Sequence, residues 1–301
     1  MSGKKLLITG GTGYVGSALV NKLITQENIE IALVVRDVHK AKELFKDLVT
    51  YILYDDLVEF KSNIEEFSPE IVVHLAAYST SSDEPKDVTK LIESNIIFTS
   101  NLLIALENCK VKLFVNTGSF SEHHHINNEF SPTYFYSATK TSARYMIEYY
   151  SKKNAFKFVN AILFTVYGKK NGSKKIIDYA MDSLGSVTPI CMSDGKQILD
   201  FIHIDDIVEF CRNLIENFEN LTISKIDYDV GTGDCISIRE LVKYIENITN
   251  KKANISWGVN QSRKVDTIKA CADVSSSQEE LKYSAKVSIV DGLVRYIEER
   301  D

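Results

Sequence analysis

The sequence predicts an α/β protein: a Rossmann-type, doubly wound parallel sheet followed by a smaller C-terminal α/β lobe that holds substrate. Three observations predict it. Apolar strand-length runs alternate with helical stretches through the first half of the 301 residues. A glycine-rich turn joins the first strand to the first helix. The alternation breaks after about Gly168.

Taken in order, residues 5–9 read as a buried strand, and the glycine turn leads into a helix over 14–25. Residues 29–35 form a nearly unbroken apolar run, as expected of a strand buried on both faces. A helix follows at 40–48, a strand at 49–54, a helix at 57–67 and a strand at 71–75. Residues 87–108 carry apolar side chains at helical spacing. Residues 112–116 are the next strand, 134–153 a helix and 156–164 a strand. Gly172, Gly185, Pro189 and Gly195 then punctuate a mixed region, with later helices at 238–249 and 288–299. This places a dinucleotide-binding domain at 1–168, with return segments from about 196–232, and a substrate lobe mainly at 169–301.

Composition bounds the function classes. The chain is 44% hydrophobic and 25% charged, with a formal net charge of −6. A mildly acidic surface gives no reason to expect nucleic acid as a partner. No run approaches the roughly 18 apolar residues of a membrane span, and the N-terminal apolar run has only strand length. The five cysteines, at 109, 191, 211, 235 and 271, form no Cys-x-x-Cys pair and are odd in number. Reduced thiols in a cytosolic protein are therefore expected, without a disulfide framework. His123-His124-His125 is a loop rather than a metal cage, so no metal is expected. Lys169-Lys170 and Lys174-Lys175 read as a solvated loop, and Trp257 as either core or a base-stacking ring.

The first turn reads Gly10-Gly11-Thr12-Gly13-Tyr14-Val15-Gly16. Glycines let the backbone turn tightly and approach a pyrophosphate, and the helix N-terminus offers free N–H groups. The end of the second strand should meet the adenosine ribose. There Arg36 precedes Asp37, and an arginine suits a 2′-phosphate. NADP(H) is therefore favoured over NAD(H).

Tyr136-Ser137-Ala138-Thr139-Lys140 lies within a helix, so Tyr136 and Lys140 share a face. A neighbouring ammonium is expected to lower the phenol's pKa from about 10, which lets Tyr136 exchange a proton with a carbonyl or alcohol oxygen. The strand ending at Asn116 runs into Thr117-Gly118-Ser119, at the edge of the sheet where sites gather. Ser119 is the candidate to hold the substrate oxygen, with Thr117 as the alternative.

On these residues the chain resembles the extended short-chain dehydrogenase/reductases, in the NAD-dependent epimerase/dehydratase group that acts on nucleotide-linked sugars. The glycine loop, His74-Leu75-Ala76-Ala77, Asn95 through Asn101-Leu102-Leu103, the Tyr136/Lys140 pair and Ser119 carry the likeness. So do Val166-Tyr167-Gly168, the segment from Asp200 to Asp206, and Val230-Gly231-Thr232-Gly233. The resemblance implies cofactor contacts from Gly10, Thr12, Gly13, Tyr14, Val15, Gly16, Arg36, Asp55, Leu75, Ala76, Ala77, Asn95 and Lys140. It implies substrate contacts from Thr117, Thr165, His203 and Arg263, with a nucleotide-diphosphate sugar as substrate and a homodimer as the assembly. Within the group the chain is most similar to the 4-keto reductases that form CDP-abequose and CDP-paratose. It departs from the family at Leu199, Ile162 and Thr165, where arginine, arginine and asparagine are usual.

Three enzyme chemistries share this core. Dehydratases of the family carry an Asp-Glu pair directly after the catalytic Ser/Thr. Phe120-Ser121 stands there instead, with Glu122 next, so dehydration is disfavoured. An exchangeable NAD(P)H would make the chain a reductase of the C4 ketone of a 4-keto-6-deoxy sugar. A tightly held NAD would make it a 4-epimerase. A non-catalytic dinucleotide sensor is a third alternative, against which the intact Tyr–Lys pair argues.

Overall fold

The unbroken apolar runs of the first half become strands covered on both faces. The computed structural model describes residues 3–123, 130–168, 174–260 and 267–300. The chain begins β1 (Lys4–Thr9), α1 (Tyr14–Leu23), β2 (Ile29–Val35), α2 (Val38–Phe45), β3 (Thr50–Leu53), α3 (Leu57–Phe67), β4 (Ile71–His74). Next come α4 (Pro85–Ile92), a π-helical turn (Glu93–Ile97), α5 (Phe98–Ala105), β5 (Leu113–Ser119), a 3₁₀ turn (Phe120–Glu122), α6 (Phe135–Asn154) and β6 (Lys157–Leu163). The remainder is β7 (Thr165–Tyr167), α7 (Ile176–Ser183), β8 (Ile190–Met192), β9 (Ile198–His203), α8 (Ile204–Asn217), β10 (Asp227–Val230), β11 (Cys235–Ser237), α9 (Ile238–Thr249), β12 (Ile255–Trp257), β13 (Lys269–Ala270), α10 (Ser275–Glu279) and α11 (Ile289–Glu298).

Seven strands form one parallel sheet in the order β10-β6-β5-β4-β1-β2-β3. Strand order reverses between β1 and β4, which opens a crevice at their carboxyl ends. Leu6, Ile8 and Leu33 bury into one face, with Leu19 of α1 and Leu214 of α8. Leu7, Val34 and Phe114 bury into the other, with Phe60 of α3, Leu102 of α5 and Ile147 of α6. Each such side chain contributes about 1.5–3 kcal/mol. That exceeds the roughly 1 kcal/mol of a helix cap such as Asp56, which accepts hydrogen bonds from Val58 and Glu59 N–H.

The 87–108 helix is resolved into α4, the π turn and α5, because Glu93–Ile97 take the wider turn around buried Asn95. The segment 196–232 divides. Strand β9 joins a second sheet, β11-β9-β13 with β7 alongside, whereas α8 packs on α1 and β10 edges the large sheet. Trp257 sits in the smaller lobe, with the Arg239 guanidinium 4.6 Å over its ring.

The expectation of reduced thiols throughout is corrected. Cys235 and Cys271 form a disulfide, with Cα atoms 5.7 Å apart and the two residues 36 positions apart in sequence. Their proximity follows from Asp200, a fully buried carboxylate on β9. It accepts hydrogen bonds from Thr232 and Gly233 N–H and from Ala272 N–H, so the two cysteine segments converge on it. Cys109, Cys191 and Cys211 are free. Among the described residues no helix is long and apolar enough to cross a membrane.

Candidate active site

The glycine turn is shaped as a cradle. Gly10 takes φ +70°, and a Cβ there would lie 2.6 Å from the Ala76 nitrogen. A Cβ on Gly16 would overlap the Gly10 carbonyl oxygen. Only glycine permits either approach. Gly13 caps α1 without a side-chain bond, which leaves the first-turn N–H groups directed at the loop. The residues therefore fit a dinucleotide pyrophosphate. The Thr9 hydroxyl and carbonyl accept hydrogen bonds from Ala76 and Leu75 N–H, which sets the Leu75-Ala76-Ala77 turn beside the cradle. Arg36 is exposed immediately past β2, while Asp37 caps α2 by accepting from Lys40 N–H. Asp55 is exposed just past β3.

His74 is fully buried. Its Nδ1 lies 2.7 Å from the Thr9 hydroxyl and its Nε2 3.1 Å from that of Thr99. Burial, then the Lys140 cation, hold its pKa down at about 3, so the ring stays neutral. Asn95 accepts from Tyr78 N–H and donates to the Tyr78 carbonyl and the Thr139 hydroxyl. Its side chain thus braces the 76–79 turn against α6.

Helix α6 brings Tyr136 and Lys140 one turn apart. Its position over the sheet is fixed by a polar bridge. Arg144 on α6 pairs with Asp227 on β10, Asn160 donates to the same carboxylate, and Asn116 donates to Asn160. Ser119 ends β5, its hydroxyl 2.8 Å from that of Ser121, to which the Ser137 hydroxyl donates in turn. The Thr117 hydroxyl donates instead to the His74 carbonyl over 3.4 Å.

Electrostatics alter one expectation. Burial and then the Glu122 carboxylate push the Tyr136 phenol above its ordinary value, opposed by a hydrogen bond from Ser79. The lowering expected from Lys140 is not met: desolvation of the phenolate dominates, and the opposing influence comes from Ser79. Burial lowers Lys140 to about 8, with Glu122 opposing.

Of the residues expected to meet substrate, Thr165 of β7 has a buried hydroxyl without a hydrogen-bond partner. His203 ends β9, and its Nδ1 accepts from Asp205 N–H to cap α8. Its buried Nε2 faces Gly168. Burial keeps His203 below the usual imidazole range. Arg263, Lys169, Lys170, His124 and His125 lie outside the described residues. Lys175 departs from the solvated loop expected of it. Its Nζ donates to the Val166 carbonyl and lies 4.4 Å from the Tyr14 ring centroid, so it joins the smaller lobe to the glycine loop. Lys174 is exposed and pairs with Asp182.

Sequence reasoning missed Glu122, Ser79 and Lys175 as members of this neighbourhood. Only Glu122 left a signal: Ser119-Phe120-Ser121-Glu122 is a capping-box pattern, and Glu122 does accept from Ser119 N–H.

The model of the NAD dependent epimerase/dehydratase family matches residues 6–231. CDP-abequose synthase of Yersinia pseudotuberculosis is 27% identical over 263 residues, covering 84% of this chain and 88% of that protein. CDP-abequose synthase of Salmonella muenchen is 25% identical over 298 residues, covering 98% and 97%. Among solved structures, UDP-glucuronic acid 4-epimerase from Bacillus cereus, in complex with UDP-glucuronic acid and NAD, shares the fold. Its TM-score is 0.84, at 23% identity and 98% coverage of each chain.

Proposed function

The chain belongs to the NAD dependent epimerase/dehydratase family, and within it we propose a nicotinamide-dependent reductase of the C4 ketone of a nucleotide-diphosphate-linked 4-keto-6-deoxy sugar. One observation carries the reading: Tyr136 and Lys140 stand one turn apart on α6, and Glu122 ties that helix, through the Thr141 hydroxyl, to Ser119 at the end of β5. The similarity to CDP-abequose synthases supports the substrate class.

When bound, the nicotinamide supplies the hydride. The chain's own residues manage the oxygen. Tyr136 donates its proton to the C4 oxygen, and a phenol held neutral by burial suits that direction of transfer. Lys140, still largely charged at neutral pH, stabilises the phenolate left behind. Ser119 holds the same oxygen, oriented by its contact with Ser121. Arg36 supports NADPH as the cofactor, since it stands exposed where a 2′-phosphate would be met.

Two neighbouring chemistries are disfavoured. Glu122 has no exposed surface and accepts hydrogen bonds within the protein through both oxygens, so it is no base for removing water from the sugar. An epimerase would need no exchangeable phosphorylated cofactor. The 4-epimerase fold likeness keeps that activity as the second reading.

We also propose a homodimer through α4–α5 and α6. Ile97, Ile104, Tyr145 and Tyr149 are exposed there, beside a depression of about 340 Å³ lined by Ser100, Met146 and Tyr150.

The functional test mixes purified protein and NADPH with CDP-, dTDP- and GDP-linked 4-keto-6-deoxy sugars. Stoichiometric loss of reduced nicotinamide absorbance is expected with at least one. Net epimer formation without NADPH consumption, together with NAD released on denaturation, would establish the epimerase instead.

A further inference from the structure

We propose that Glu122 is a positioning residue: its carboxylate fixes the Ser119 turn to α6 and sets the charge balance around Lys140 and Tyr136. The inference rests on the Tyr136–Lys140 reading above and adds a residue to it.

Glu122 is fully buried. One oxygen accepts from Ser119 N–H at 2.7 Å and the other from the Thr141 hydroxyl at 3.0 Å. Thr141 follows Lys140 on α6. A single carboxylate therefore ties the end of β5 to the helix that carries the Tyr–Lys pair. Strand β5 makes room for it, since a Cβ on Gly118 would lie 2.9 Å from the Glu122 oxygen. Gly118 thus admits the carboxylate just before Ser119.

The charged and titratable groups facing this carboxylate are few. Lys140 and Tyr136 face it from α6, and Asp227 from β10. His74 on β4 faces Lys140 and is neutral. Burial raises the Glu122 carboxyl to about 7, against Lys140, the Ser119 N–H and the Thr141 hydroxyl, all of which favour the carboxylate. Near neutral pH the side chain therefore gains or loses its charge. When charged, it keeps Lys140 protonated and holds Tyr136 neutral. When protonated, it releases both. With no exposed surface it reaches substrate only through Ser119, Lys140 and Tyr136.

Glu122→Gln separates charge from shape, since the amide oxygen still accepts from Ser119 N–H. Two readouts are taken: the tyrosinate absorbance titration, as a difference against Tyr136→Phe, and kcat and KM of ketosugar reduction across pH. In the folded variant the Tyr136 midpoint is expected to fall, because the Glu122 charge that raises it is gone. The alkaline limb of kcat should move to lower pH, and the wild-type inflection at about 7 should vanish. KM should change by less than roughly twofold. An unchanged midpoint and an unchanged kcat profile would overturn the proposal.

If Glu122→Gln fails to fold, Thr141→Ala decides. It removes one hydrogen bond to the carboxylate, so the inflection should move to higher pH; an unmoved inflection overturns the proposal. If no ketosugar is reduced, the functional reading fails, and the substrate-free absorbance titration alone decides the role of Glu122.

Discussion

At the scale of single residues, Tyr136 and Lys140 were legible from a four-residue spacing, because an α-helix puts i and i+4 on one face. Their electrostatics were not. Whether a phenol is raised by burial or lowered by a cation depends on desolvation, which sequence does not display, and here burial prevails. Asn95 shows the same limit: its place in a motif was readable, its bracing of Tyr78 against Thr139 was not. Arg36 makes a prediction at this scale. If it meets a 2′-phosphate, Arg36→Ala removes a charge-assisted contact of about 1.5–3 kcal/mol. The KM for NADPH should then rise roughly ten- to hundredfold, while that for NADH stays within about twofold. Steady-state kinetics with both cofactors check it, and equal effects on the two would remove Arg36 from the phosphate site.

At the scale of elements, the strands of the large sheet were legible because burial on both faces leaves continuous apolar runs such as Leu6–Ile8 and Ile31–Val35. The smaller lobe was not. Strands β7, β8, β11, β12 and β13 span only two or three residues, too few to show a period. Helix α8 was hidden behind the Asp200–Asp206 landmark, although its apolar stripe packs on α1. The disulfide was hidden for a related reason. Cysteine spacing along the chain says nothing of two segments gathered by one buried carboxylate, Asp200. Thiol titration of the denatured, unreduced protein should therefore find three free thiols, those of Cys109, Cys191 and Cys211. Five would show that Cys235 and Cys271 are not joined.

At the scale of the whole molecule, the reversal of strand order between β1 and β4 places the glycine cradle and the Leu75–Ala77 turn at the crevice. Lys175 joins the smaller lobe to that cradle through Tyr14. The exposed apolar residues of α5 and α6 give the assembly prediction. Sedimentation velocity should find the mass of two chains, and Tyr149→Glu, at a position 61% exposed in the single chain, should yield one folded chain. A wild-type protein sedimenting as a single chain would refute the homodimer.

In the reaction proposed, Tyr136 gives the proton while a ketosugar is reduced. The most direct test is the single-turnover rate of NADPH oxidation by wild type and Tyr136→Phe with the ketosugar that the wild type reduces. The phenol's loss should slow the reaction by roughly 10²–10⁴-fold with cofactor binding retained. A variant turning over within about twofold of wild type would rule out Tyr136 as the donor, because the proton would then come from elsewhere.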